Sequence, residues 1–128
     1  MENRDQLITE VRPSLNLSAT ESNQHERFQN ECLRPILKLQ NYVFVLVVEE
    51  WLVAHKQILS QQAADKQANT LTHILKTNRA LRAQLFGIVC GMMTIAELKF
   101  YLLEKSECNR RITSMLIQRL IDQMTSKK

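Results

Sequence analysis

Glycine and proline are nearly missing from this 128-residue chain, which holds two of each. An all-β fold needs tight turns every ten residues or so, and that supply cannot make them. Long helices need almost none, and the good helix formers Ala, Leu, Gln, Glu, Lys and Arg fill many of the remaining positions. The two glycines, Gly87 and Gly91, spell neither common phosphate-cradling loop, and no GxSxG elbow occurs. CxxC, HxxxH and ExxH spacings are also absent, so none of these common ligand pairs stands on one helix face. No catalytic residue, metal or cofactor is therefore expected. Cys32, Cys90 and Cys108 are odd in number and far apart, which predicts free thiols in a reducing compartment instead of a disulfide framework. The first residues include Glu2 and Asp5 and lack an apolar h-region. No signal peptide is expected, and a cytoplasmic location follows.

What is present is one concentrated apolar run, Tyr42 to Ala54, in which only Glu49 and Glu50 are not apolar. It covers every direction around a helix, so it marks either the centre of a fold or the seam of an oligomer. It contains two carboxylates and is too short to cross a bilayer, so no membrane association is expected. The pattern predicts an all-α protein: one domain over 1–128, a compact bundle of five to six helices around a long central helix of about 20–59. Such a helix would run about 57 Å, whereas a compact domain of this length spans about 36 Å. It must bend, with Pro35 the obvious place, or protrude and meet a second copy.

Shorter helices surround it. A first helix over 3–11 is followed by a loop at 13–19, and Ser18 to Glu21 reads as a capping box. Helices are expected over 62–76, over 78–91 with Thr77 as its cap, over 95–105 behind a Thr94–Glu97 capping box, and over 107–125 behind Ser106, with a frayed tail at 125–128. Inward stripes read Ala64, Ala68, Leu71 and Leu75; Leu81, Leu85, Ile88, Val89 and Met92; Ile95, Leu98 and Leu102; and Ile112, Met115, Leu116, Leu120 and Met124. Ala83, Gly87 and Gly91 recur every four residues as a smooth strip that lets another helix approach closely, which predicts an internal helix crossing ahead of an intermolecular one.

Candidate functional residues fall into three sets. Asn30, Arg34, Lys38 and Asn41 share one polar arc, a candidate partner surface. Val45, Val48 and Leu52 continue that arc as apolar residues, a candidate oligomer seam. Gln29, Gln40, Glu50 and His55 are polar groups on or near apolar faces, candidates for buried ligand contacts. Charge is uneven: residues 1–60 carry six basic against eight acidic side chains, and residues 61–128 carry eleven against five. Lys76, Arg79, Arg82, Arg110, Arg111 and Arg119 could hold phosphate without regard to base sequence.

The run Phe28-Gln-Asn-Glu-Cys-Leu-Arg-Pro-Ile-Leu-Lys-Leu-Gln-Asn41 resembles the core segment of a family of small, all-helical bacterial proteins of unknown function, whose members read FQNxxLRPILKLQN there. A looser similarity of helix lengths and capping positions runs on to about residue 120. Some such proteins carry the label "glyoxalase", but usual glyoxalases are βαβββ units with His and Glu metal ligands on strands, and this sequence has neither. The resemblance implies a helical fold and transfers no catalytic residues. The function expected is a non-enzymatic helical protein-interaction module, homo-oligomeric through 42–54. A sequence-independent nucleic-acid-associated protein is the alternative, and a small-ligand binder or enzyme with an inter-helix pocket the third reading.

Overall fold

A computed structural model describes residues 2–12 and 23–125. Regular structure among them is helical throughout, as expected. The helices are α1 (Glu2–Val11), α2 (Gln24–Phe28), α3 (Arg34–Leu39), α4 (Asn41–Ala54), α5 (Ala64–Thr77), α6 (Arg79–Cys90), α7 (Ile95–Leu103) and α8 (Lys105–Met124). The loop at 13–19 and the capping box at 18–21 lie outside the described residues, as do the last three of the tail.

The long helix expected over 20–59 is realised in pieces. Asn23 caps its start, accepting a hydrogen bond from the Glu26 amide at 2.7 Å. A π-helical turn at Gln29–Leu33 follows, in which the Arg34 amide donates to the Gln29 carbonyl five residues back. Pro35 accounts for it. A proline has no N–H to offer the carbonyl four residues earlier, that of Glu31, and its ring crowds that oxygen, so a widened turn ahead of it relieves the clash. Helical geometry is left not at Pro35 but at Gln40, whose φ of −95° and ψ of 13° close α3.

Packing groups the chain into two compact units, Met1–Gln40 with Phe86–Ile112, and Asn41–Leu85 with Thr113–Lys128. In the first, Ile8, Leu33, Ile36, Leu37, Val89, Met93, Tyr101 and Ile112 are buried. Its α1 is tied to the turn between α6 and α7. Arg4 donates to the carbonyls of Gly91 at 3.1 Å and Met93 at 2.9 Å, and the Asp5 carboxylate accepts from the Ile95 amide at 3.1 Å. A cation thus meets the carbonyl end of one helix and an anion the amide end of the next, the arrangement helix dipoles favour. Thr94 and Glu97 form the expected capping box at the start of α7. Within α7 the expected inward stripe shifts: Tyr101 is the buried residue, while Ile95 and Leu98 are half-buried and Leu102 is exposed.

In the second unit Phe44, Val48, Leu52, Leu71, Ile74, Leu75, Leu81, Leu85, Leu116 and Leu120 are buried. Asn78 caps α6 by accepting from the Leu81 amide at 2.9 Å. Thr77, expected in that role, instead turns its hydroxyl back to donate to the His73 carbonyl. Ser106, the other expected cap, lies inside α8, which already begins at Lys105. The α4 helix ends with the Gln57 amide donating to the Leu52 carbonyl across Lys56, which adopts a left-handed φ of 57° without being glycine.

The Ala83–Gly87–Gly91 strip does not make the internal crossing expected of it. All three residues are exposed, and a Cβ added at Gly87 would meet nothing within 4 Å. Gly87→Ala should therefore stabilise the protein by about 0.5–1 kcal/mol, the cost of glycine in a helix interior; thermal denaturation checks it, and a lowered Tm would show the strip to be packed. Leu52→Glu puts an unpaired charge in a core position and should cost about 3–5 kcal/mol, read as loss of helical ellipticity or a collapsed Tm.

Candidate functional site

The polar residues of the segment Phe28–Asn41 separate in the structure. Arg34 and Lys38 are exposed and Asn30 is half-buried, with the Arg34 guanidinium donating to the Asn30 side-chain oxygen at 2.7 Å. Asn41 leaves the expected exposed stripe altogether. It is buried, accepts from Arg119 at 3.3 Å and donates to Gln123 at 3.3 Å, so the first residue of α4 is held by α8. Gln29 is half-buried and accepts from Arg111 at 2.8 Å. Gln40 occupies the helix break.

Glu50 and His55 are exposed, so neither is the buried ligand contact expected of it. His55 stacks on Trp51, with ring centroids 3.9 Å apart and 14° between planes, and its Nδ1 lies 2.9 Å from the Trp51 carbonyl. Shallow cavities lie elsewhere among the described residues. One of about 230 Å³ is lined by Gln24, Arg27, Phe28, Glu31 and Phe100; another, of about 510 Å³, lies along α5 between Gln57 and Ile74. Neither is lined by any of the four candidate contact residues. No group of three or more His, Cys, Asp or Glu among the described residues could hold a metal ion, and none of the described helices is long and apolar enough to cross a membrane.

Several of the basic side chains of the second half are engaged within the protein. Arg82 closes α5 by donating to the Leu75 and Lys76 carbonyls. Arg110 and Arg111 both pair with Glu107, and their hydrogen bonds hold its carboxyl down at about 2. The three cysteines are free; burial pushes every one of their thiols above the ordinary range, Cys108 to about 11. Raised thiols are poor nucleophiles.

One feature left without an internal role is one side of α4. Phe44, Val48 and Leu52 recur at four-residue intervals and are buried, with Val45 half-buried beside them. Val48 and Leu52, expected as an oligomer seam, are thus core of the chain itself. The opposite side is nearly as apolar yet open to solvent: Tyr42 is 80%, Leu46 66% and Val53 72% exposed, with Val43 exposed at its edge. Glu49 and Glu50 flank this open side. A run apolar all round gives no amphipathic signal, so periodicity could not tell its two sides apart. The position of the two carboxylates could have: both lie on the exposed side.

Sequence patterning also missed Arg12. Its side chain is 9% exposed; it pairs with Glu97, with one oxygen at 3.0 Å, and donates to the Glu31 carbonyl at 2.9 Å. That carbonyl is the one Pro35 cannot serve, a signal available from the proline alone. Burial opposes both charges, yet bonding to Glu97 leaves the guanidinium above its ordinary value. Burial would likewise raise the Glu97 carboxyl, but hydrogen bonds from Arg12 and Thr94 outweigh it and hold the group below the usual carboxylate range.

No protein-family model, curated protein or solved structure matches the chain.

The Arg12–Glu97 pair makes a pH-dependent contribution. Since the native Glu97 pKa is lowered, the stability it adds is complete above the unfolded carboxylate value and is lost as pH falls through the native one. Glu97→Gln should flatten part of the acid limb of a Tm-against-pH profile. Arg12→Met should cost more at neutral pH, on the order of 3 kcal/mol, because it removes the donor to the Glu31 carbonyl together with the partner of the Glu97 carboxylate, whereas an amide at position 97 can still accept from Arg12; equal Tm values for the two variants would contradict this.

Proposed function

We propose that the protein is a non-enzymatic helical interaction module that self-associates through the open side of α4. The observation that carries the reading is the exposure of Tyr42, Leu46 and Val53 on a helix whose other side is core. Large apolar side chains clustered on a single helix face are a common mark of a protein–protein contact, and an aromatic such as Tyr42 is typical of its centre. The resemblance of Phe28–Asn41 to small helical proteins without assigned catalytic residues is consistent with a binding role. A cytoplasmic setting suits three free thiols.

A one-helix contact lies at the small end of specific interfaces, so the association should be of micromolar strength. Sedimentation velocity across the micromolar range should show a concentration-dependent shift from monomer to dimer. Leu46→Glu, at an exposed position, should remain folded by circular dichroism and sediment as a monomer. A wild-type protein that stays monomeric at every concentration would end the proposal.

A further inference from the structure

We propose that the corner where α7 meets α8 is a docking site for an anionic lipid surface, with Leu102 and Leu103 entering the headgroup boundary and Lys99 and Lys105 meeting its charge.

The rotation of α7 puts the leucines there. Its sequence is apolar apart from Glu97 and Lys99, so hydrophobicity alone leaves the buried side undecided. Tyr101 decides it: the residue is buried and its hydroxyl donates to Asn109 of α8 at 2.6 Å. At about 100° per residue, Leu102 and Leu103 are then turned about 100° and about 160° away from the buried side. Leu102 is 57% and Leu103 83% exposed. The helix stops directly after them at Glu104, whose φ of −118° and ψ of 37° separate α7 from α8. The pair stands at a helix end, not along an extended face.

Charge selects the sign of the partner. Lys99, one turn before Leu103, and Lys105 are exposed and enter no ion pair among the described residues. Both neighbouring carboxylates are bonded within the protein: Glu104 accepts from Nε2 of His25 at 3.0 Å, and Glu107 pairs with Arg110 and Arg111. From residue 99 to residue 111 the chain holds four basic side chains against two acidic. The charges left over at the corner are ammonium groups, which complement an anionic surface.

Composition separates a lipid surface from an acidic protein. Protein contacts are rich in aromatic residues, methionine and arginine and poor in lysine, and leucine is under-represented among their hot spots. Two leucines flanked by lysines have the opposite make-up. At a bilayer a leucine needs no fitted pocket, and a lysine lays its methylenes on the apolar boundary while its ammonium stays among the phosphates. The open side of α4 is apolar too, but its charges are Glu49 and Glu50, which such a surface repels. The contact is superficial, since none of the described helices is long and apolar enough to span a bilayer.

Co-sedimentation with phosphatidylcholine vesicles, prepared with and without phosphatidylserine, tests the proposal. Two leucines bury less than one acyl chain, which itself binds only marginally, so half-binding should need lipid on the order of millimolar. The protein should pellet with the serine-containing vesicles and stay in solution with phosphatidylcholine alone. Lys99→Gln and Lys105→Gln should each weaken binding about fivefold, and added salt should weaken it further. Changing both leucines to serine should weaken it at least about tenfold, with circular dichroism unchanged because both positions are exposed. As a second readout, Leu103→Trp should add a blue-shifted component to the wild-type emission when anionic vesicles are present. Absence of binding to serine-containing vesicles, or equal binding to phosphatidylcholine alone, would overturn the proposal. Binding that survives loss of both leucines, with no shift from Leu103→Trp, would place the contact elsewhere and overturn it too. Retention on immobilised polyglutamate but not on vesicles would assign the corner to an acidic protein instead.

Discussion

One guanidinium satisfies what several neighbouring elements leave unsatisfied. Pro35 deprives the Glu31 carbonyl of its helical donor, and Arg12 supplies a replacement. Glu97 closes the capping box of α7 and, being half-buried, needs an opposite charge; Arg12 supplies that too. Because Arg12 follows directly after α1, meeting both needs fixes where α1 ends. Arg4 and Asp5, near the other end of the same helix, then reach the carbonyl and amide ends at the α6–α7 turn. A ten-residue helix whose Leu7 and Val11 are exposed buries little besides Ile8. Its placement is held by polar bonds at both ends more than by apolar area.

Helix identity was legible because the composition leaves little else. Few turns can be made with two glycines and two prolines, and the expected segments agree with α1 and α5 to α8 within a few residues. Boundaries failed where two polar residues competed for one role. Thr77 was the expected α6 cap, but the adjacent Asn78 takes the role, as its side chain reaches the third amide while threonine bonds back to its own helix. The expected stripe of α7 differs from the observed one because Tyr101, and not Leu102, is drawn inward. Tyr101 is buried with its hydroxyl donating to Asn109 at 2.6 Å, a partner supplied by α8 that no local pattern reveals.

The candidate site was half legible. The run 42–54 was recognisable as exceptional, but its buried and open sides differ by little except Glu49, Glu50 and Asn41. Asn41 misled in the opposite direction: its polarity suggests solvent, yet Arg119 and Gln123 give it two partners inside the protein. The same accounting applies to the basic second half. Arg82, Arg111 and Arg119 spend their donors on a helix end, two side-chain amides and a carboxylate. Formal charge counts the guanidinium groups but not the carbonyls and amides already drawn to them.

Trp51 is the sole tryptophan of the chain, and it belongs to only one of the two compact units. Its indole lies against the His55 imidazole in the last turns of α4. Emission spectroscopy is therefore a local gauge, sensitive to the loosening of that stack and silent about Arg12 and its partners. Far-ultraviolet ellipticity sums over helices in both units. The two signals together form a built-in cooperativity meter: superimposable denaturation curves mean that the units melt as one, and separated curves mean that they do not.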